Sequence, residues 1–269
     1  MKLKKYMGDY LKKMPVVSDY YLYYWLFPRC ANSFRGVYSS FAEALSSIPK
    51  NIEKEYYIDE KSLEALDVEA EIIRLEKINP DDFTLLPYLQ KAFAESQTLF
   101  ELGGNTGNAY FSYQKHIEYP PEIRWIICDL PVAVNVGRHL FSKIEDPRIC
   151  FTTSLEKMNQ VDILLTSGTL QYIEPSLPKL LGQLVAKPRN VIVNRVPLYE
   201  GEEYVTLQSF IDSYVPYKVE NIENFLQNMF NLGYELIDTW TKKRTMNIPF
   251  HPECFVDSYK GFYFRQTTP

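Results

Sequence analysis

Thr98-Leu-Phe-Glu-Leu-Gly-Gly-Asn-Thr-Gly-Asn-Ala-Tyr110 decides how the chain is read. Thr98 to Leu102 is apolar and β-prone and predicts a buried strand. Gly103, Gly104 and Gly107 then let the backbone turn sharply, and the residues to His116 can start a helix. Strand, glycine turn and helix in that order form a cradle: main-chain N–H groups approach a ligand with no Cβ in the way, and the helix end favours an anionic group. Glu122-Ile-Arg-Trp-Ile-Ile-Cys-Asp129 is a second apolar strand, ending in a carboxylate 22 residues after Gly107. In nucleotide-type α/β folds an acid at this tip takes ribose hydroxyls in paired hydrogen bonds. Turn and acid together predict a ligand with a ribose.

The spacing narrows that ligand. A dinucleotide fold calls for G-x-G-x-x-G, whereas this chain has Gly103-Gly104-Asn105-Thr106-Gly107 with Glu101 two places ahead of the first glycine. An acid there would be repelled by a pyrophosphate but suits an ammonium group. The pattern therefore points to S-adenosylmethionine rather than NAD. The plainer alternative is a turn that only closes a strand onto a helix.

Around these two strands the chain alternates. Pro131 opens a helix to Phe141, Ile149 to Thr153 is strand three, Val161 to Thr166 strand four and Asn190 to Val196 strand five. Glu220 to Leu232 is a helix ended by Gly233, Tyr234 to Trp240 is strand six and Gly261 to Gln266 strand seven. Alternation predicts a mostly parallel, doubly wound α/β sheet over residues 83–269, with residues 1–82 as an N-terminal helical extension. Within that extension Ser39 or Ser40 with Glu43 forms a capping box. Gly36 marks a turn, and Ile52 to Ile78 has helical rhythm up to Pro80.

Composition limits the function classes. The chain has 269 residues, 46% of them hydrophobic, and 29 basic against 34 acidic side chains give a net charge of −5. A sizeable core is available, and no global basic field draws the protein to nucleic acid. Cys30, Cys128, Cys150 and Cys254 form no Cys-x-x-Cys pair and read as reduced packing residues. No apolar run reaches the roughly 20 residues of a spanning helix, and Met1 to Pro15 lacks the apolar core of a signal peptide, so a cytoplasmic location is expected. Lys2, Lys4, Lys5, Lys12 and Lys13 precede the run Tyr20-Tyr21-Leu22-Tyr23-Tyr24-Trp25-Leu26-Phe27. Residues 1–30 therefore suit peripheral membrane contact, and equally an arm packed on its own domain or on a subunit partner.

The turn after strand one, the acid after strand two and the strand order resemble a class I S-adenosylmethionine-dependent methyltransferase. That resemblance implies a Rossmann-like seven-stranded sheet whose last strand runs antiparallel between strands five and six. More narrowly, Phe34-x-Gly-x-Tyr-x-Ser-Phe-x-Glu-Ala44, the glycine stretch, Trp125-x-x-x-Asp-x-Pro131, Ser167-Gly-Thr-Leu-Gln-Tyr-Ile173 and Asn194-Arg-Val-Pro197 resemble a little-characterised bacterial methyltransferase family. Its members are associated with surface-polysaccharide biosynthesis, which implies a saccharide or other small acceptor. The resemblance places Gly103, Gly104 and Gly107 along the methionine moiety and Glu101 near its ammonium. Asp129 would hold the ribose, Leu130 the adenine, Thr153 and Ser154 the adenine edge, and Ser167 and Gly168 the sulfonium side. Asn105 stands where a third glycine is expected; asparagine tolerates left-handed backbone better than other side chains.

Methyl transfer from a sulfonium needs alignment above all, and a base only for a weakly acidic nucleophile. Three histidines are available. His116 and His139 fall on predicted helices and read as surface residues, while His251 sits in a proline-flanked loop and is the candidate base. Gln171 and Tyr172 follow strand four on the acceptor side, and Arg195 at the end of strand five suits an anionic substrate. Tyr172 also fits a core aromatic. No His and carboxylate spacing predicts a metal. Two other readings compete with the enzyme: a non-catalytic scaffold that keeps the fold, motivated by Asn105 and the lack of a clear base, and an NAD-dependent sugar oxidoreductase, which the turn spacing disfavours.

Overall fold

The computed structural model describes residues 15–54, 68–144 and 146–267. The lysines of residues 2–13 and residues 55–67 of the predicted 52–78 helix lie outside them. The chain forms two compact units. The larger comprises residues 58–196, 224–242 and 260–269, and the smaller 1–57, 197–223 and 243–259.

The larger unit is a seven-stranded sheet. Its strands are β1 (Thr98–Leu102), β2 (Arg124–Cys128), β3 (Ile149–Thr152), β4 (Ile163–Ser167), β5 (Asn190–Val196), β6 (Tyr234–Lys242) and β7 (Tyr259–Gln266). They lie in the order β6-β7-β5-β4-β1-β2-β3. β1 pairs in parallel with β2 and with β4, β2 with β3 and β4 with β5, while β7 runs antiparallel to β5. The predicted doubly wound sheet and its inserted last strand are thus present. β1 and β4 are buried nearly end to end, as strands covered on both faces must be.

Helices α1 (Val68–Leu75), α2 (Leu86–Phe93), α3 (Asn108–Tyr113), α4 (Pro131–Phe141) and α5 (Leu177–Gly182) belong to this unit. α2 starts with Pro87 and turns Leu86, Leu89, Ala92 and Phe93 inward, whereas α3 is buried almost all round. With α4 they close over one core containing Leu99, Tyr110, Trp125, Leu140, Ile163 and Ile192. Gly261 has a packing reason to be glycine. A Cβ there would lie 2.1 Å from the Trp240 indole, which crosses β7 and donates from Nε1 to Asn194 Oδ1 on β5 at 2.8 Å.

The smaller unit corrects the sequence reading. The 1–82 extension is not helical throughout, because Phe34–Tyr38 is a strand paired antiparallel with Tyr204–Ser209. Gly36, at φ +75°, sits where the register slips between Arg35 and Tyr38, so it marks a bulge inside a strand rather than a turn before a helix. Tyr204–Ser209 pairs in turn with Tyr214–Asn221, and Met246–Ile248 with His251–Val256. The two longer strands are not announced by alternation: Tyr204–Ser209 is buried at every position, polar Thr206 and Gln208 included, and Tyr214–Asn221 carries Pro216. The capping box is present, with Ser40 accepting from the Glu43 amide and Glu43 Oε2 accepting from the Ser39 amide.

Cys128 is buried and its thiol is pushed up to about 11, first by burial, which fits a packing residue. Cys150, read the same way, is instead exposed on the edge strand β3. Among the described residues no helix is long and apolar enough to cross a membrane, and no group of three His, Cys, Asp or Glu side chains could hold a metal ion.

Candidate functional site

β1 lies between β2 and β4, so the order of the sheet reverses there, the place beyond the carboxyl ends of the strands where open α/β sheets bind ligands. The glycine turn leaves β1 at that point. Gly103 and Gly107 have φ of +78° and +103°, and Asn105 takes φ +53°, so the asparagine does supply the left-handed backbone the turn needs. The amides of Asn105 and Leu130 donate at 2.7 Å to Asp129 Oδ2 and Oδ1. Asp129 therefore ties the turn after β1 to the start of α4. Burial raises its pKa, against the lowering effect of these two donors.

Glu101 lies beneath the turn, 6% exposed, and its Oε2 accepts from Trp125 Nε1 at 2.7 Å. Burial pushes its carboxyl up to about 8; the indole N–H opposes this, and the charges of Asp82 and Asp129 add to it. Each glycine has a neighbour occupying its missing Cβ. That atom would lie 2.0 Å from Thr169 Oγ1 at Gly103, 2.6 Å from the Glu101 carboxyl carbon at Gly104 and 2.8 Å from the Phe141 ring at Gly107.

The ends of β4 and β5 form a second cluster, centred on Asp82. Asp82 Oδ1 accepts from Ser167 Oγ and Asn194 Nδ2, both at 2.9 Å. Arg195, at φ +56°, donates from Nε to Ser167 Oγ at 3.0 Å and from a terminal nitrogen to the Ser167 carbonyl at 3.2 Å. Its guanidinium also lies 3.5 Å from Asp82 and borders Gly168. Arg195 is thus committed to shaping the Ser167–Gly168 turn. Gln171 is buried; its Nε2 donates to the Gly168 carbonyl at 2.8 Å, while its Oε1 is sealed from solvent without a donor. Burial and the charges of Asp82 and Glu101 hold the Tyr113 hydroxyl far above its usual range.

Of the residues singled out from sequence, Glu101, Gly103, Gly104, Asn105, Gly107 and Asp129 come together at the turn, and Ser167, Gly168 and Arg195 at the neighbouring cluster. Leu130 is 59% exposed directly after Asp129, available to a flat apolar ligand. Thr153 is exposed, and Ser154 accepts from the Glu156 amide as the cap of the turn Leu155–Met158. Tyr172 is partly exposed rather than a core ring. His251 belongs to the smaller unit. It opens a strand instead of sitting in a loop, and its Nδ1 lies 3.0 Å from Glu253 Oε1. Asp82, Thr169 and Trp125 were missed as site residues. Asp82 follows Pro80 in a short charged stretch that reads only as a helix start, and nothing local to it signals β4 or β5.

The arrangement has a definite chemistry. Three carboxyl groups converge beside left-handed backbone, a setting for a ligand that brings a cation and hydroxyl groups rather than another anion. No family model matches this chain, and no curated protein does. Solved structures do. The N-terminal domain of EvdMO1, determined in the presence of SAH and D-fucose, is 10% identical over 76% of this chain and 98% of that one, with a TM-score of 0.50. The PH0226 protein from Pyrococcus horikoshii OT3 is 12% identical over 78% and 100%, also at 0.50. An O-methyltransferase family protein from Burkholderia thailandensis is 13% identical over 94% and 72%, again at 0.50. The molecule has the Rossmann-like α/β fold of class I methyltransferases. Identities this low establish the fold.

Proposed function

We propose that the protein transfers a methyl group from S-adenosylmethionine to a hydroxyl of a small acceptor. The observation that carries this reading is the joining of the glycine turn to Asp129, with the carboxyl of Glu101 buried beneath it. The donor set suits that cofactor: Glu101 for the ammonium, Asp129 for the ribose hydroxyls and exposed Leu130 for the adenine. When bound, the cofactor supplies a methyl group already activated on its sulfonium. The chain's own part is positioning. Asp129 fixes the turn through two backbone amides, and Asp82 and Arg195 fix the Ser167–Gly168 turn.

A saccharide acceptor in surface-polysaccharide biosynthesis is the finer form of this proposal. It is supported by the motifs quoted above and by the D-fucose present with the EvdMO1 domain. Calorimetric titration with S-adenosylmethionine, S-adenosylhomocysteine and NADH tests the cofactor. The adenosyl ligands should bind, and Asp129→Ala should weaken them about 10- to 100-fold, as loss of charge-assisted hydrogen bonds does. Equal affinity in the variant would sink the site assignment, and binding of NADH alone would favour the oxidoreductase.

A second reading has an observation of its own. Asp129, Glu101 and Asp82 each already accept from protein donors, and Thr169 fills the space beside Gly103, as in a scaffold that keeps the fold without turnover. Cofactor binding without methylation of any member of a sugar-nucleotide and lipid-linked saccharide panel would promote it.

A further inference from the structure

The smaller unit contains a guanidinium with no anionic partner. Arg35, on the strand Phe34–Tyr38, lies 4.4 Å from the ring centroid of Phe27, 5.2 Å from that of Tyr23 and 5.6 Å from that of Tyr214. Phe27 and Tyr214 are core residues whose rings pack 4.6 Å apart, so they form a rigid floor. Arg35 Nε is shut off from solvent and finds no acceptor among the described residues. Among the described residues no side chain forms an ion pair or hydrogen bond with this guanidinium. Among the described residues Arg74, Arg148, Arg189, Arg195 and Arg265 reach carboxylates, whereas Arg29, Arg124, Arg138 and Arg244, like Arg35, do not. Ring faces attract a cation but leave its N–H donors unused, and an unused buried donor is the costly state.

The rings continue outward from Tyr23. Its ring meets Tyr24 at 4.8 Å and Phe250 at 5.7 Å, and Tyr20 meets Phe250 at 5.1 Å and stacks on Tyr24 at 5.9 Å. Tyr20 and Tyr24 are 56% and 59% exposed. The backbone that presents them, Tyr21–Leu26, is wound as a π-helical turn, a form rare enough to be associated with function. A basic arginine fork beside open aromatic faces matches a multiply charged oxyanion attached to an apolar or ring-shaped carrier.

We propose that Arg35 anchors a binding site for a phosphoryl group, with Tyr20, Tyr24 and Phe250 supporting the body that carries it. The carrier is the sugar of a soluble sugar phosphate or the acyl part of an anionic lipid. The site lies wholly in the smaller unit and does not depend on the methyltransferase reading.

The full chain should be titrated with glucose 1-phosphate and with inorganic phosphate, and sedimented with phosphatidylcholine vesicles with and without phosphatidylglycerol. Binding of glucose 1-phosphate assigns a soluble sugar phosphate, and binding only to the anionic vesicles assigns a lipid headgroup. In either case Arg35→Gln should weaken binding at least about 10-fold, and Arg35→Lys should fail to restore it because the fork is lost. Tyr20→Ser with Tyr24→Ser changes only exposed rings. This pair should weaken the carrier-bearing ligand while leaving inorganic phosphate unaffected. Circular dichroism checks that each variant is folded. Failure of the wild-type chain to bind either ligand, or unchanged affinity in folded Arg35→Gln, overturns the proposal.

Discussion

At the carboxyl end of the large sheet each of the three acids has donors from the protein, whereas Arg35 in the smaller unit has ring faces around it and no acceptor for its Nε. The first arrangement spends its polar groups on geometry: Asp129 holds the turn, Glu101 holds Trp125, and Asp82 holds the ends of β4 and β5. The second leaves a polar group over. Where side chains satisfy one another, substitution should cost stability first and ligand affinity with it. Where they do not, affinity should be lost while the fold stays intact.

The largest expected effect probes how tightly the first region is closed. Gly103→Val would place a Cβ 2.0 Å from Thr169 Oγ1, in a backbone with φ +78°. Left-handed backbone disfavours a β-branched residue by about 1–2 kcal/mol, and overpacking adds about 1–3. Denaturant unfolding should show a loss of about 2–5 kcal/mol or no folded protein, partly relieved by Thr169→Ala. A variant as stable as the wild type would mean that the turn is not closed on Thr169.

Glu101 sharpens the comparison through pH. Its carboxyl, raised from the usual 4.5 to about 8 chiefly by burial, keeps in the folded state a proton that the unfolded chain releases. The stability this confers is complete below about pH 4.5 and is lost as the pH rises through about 8. Glu101→Gln has no such proton to lose. Relative to the wild type, it should therefore gain on the order of 3–4 kcal/mol between pH 5 and pH 8, read from unfolding midpoints. Parallel stability curves for the two proteins would show that the carboxyl is already ionised. A cationic ligand at Glu101 should expel the proton, visible as buffer-dependent heat on binding near pH 7.

Asp129→Ala comes next in size. It leaves the amides of Asn105 and Leu130 without their acceptor, which should cost about 2 kcal/mol, whereas Arg35→Gln should cost less than about 1. Equal destabilisation by the two would mean that Arg35 is as tied into its surroundings as Asp129.

The two regions also differ in how far the sequence reveals them. The large sheet is legible because its strands are short apolar runs punctuated by glycine and proline, and because Asp129 and Glu101 sit at strand tips, where spacing has meaning. The smaller unit is not. Its central strands bury Thr206 and Gln208, run through Pro216 and bulge at Gly36, so they lack the alternation that identifies a strand, and partners such as Arg35 and Leu207 are far apart in the chain. Asp82 illustrates the same limit within the larger unit. Its role is set by Ser167 and Asn194, 85 and 112 residues away. The uses of Glu101 and Arg195 were half visible: their positions follow from pattern, but their partners, Trp125 and Ser167, do not.

The smallest effect isolates what the turn itself requires. Asn105 takes φ +53° with its side chain exposed and its amide held by Asp129. Asn105→Gly removes the left-handed strain, yet adds freedom to the unfolded chain, and each term is below about 1 kcal/mol. Stability should change by less than about 0.5 kcal/mol. Asn105→Val carries the strain without asparagine's tolerance and should cost about 1–2 kcal/mol. If valine proves as harmless as glycine, the amide bond to Asp129 does not impose the left-handed turn, and the cradle would have to owe its shape to the packing of Gly103 and Gly107 alone.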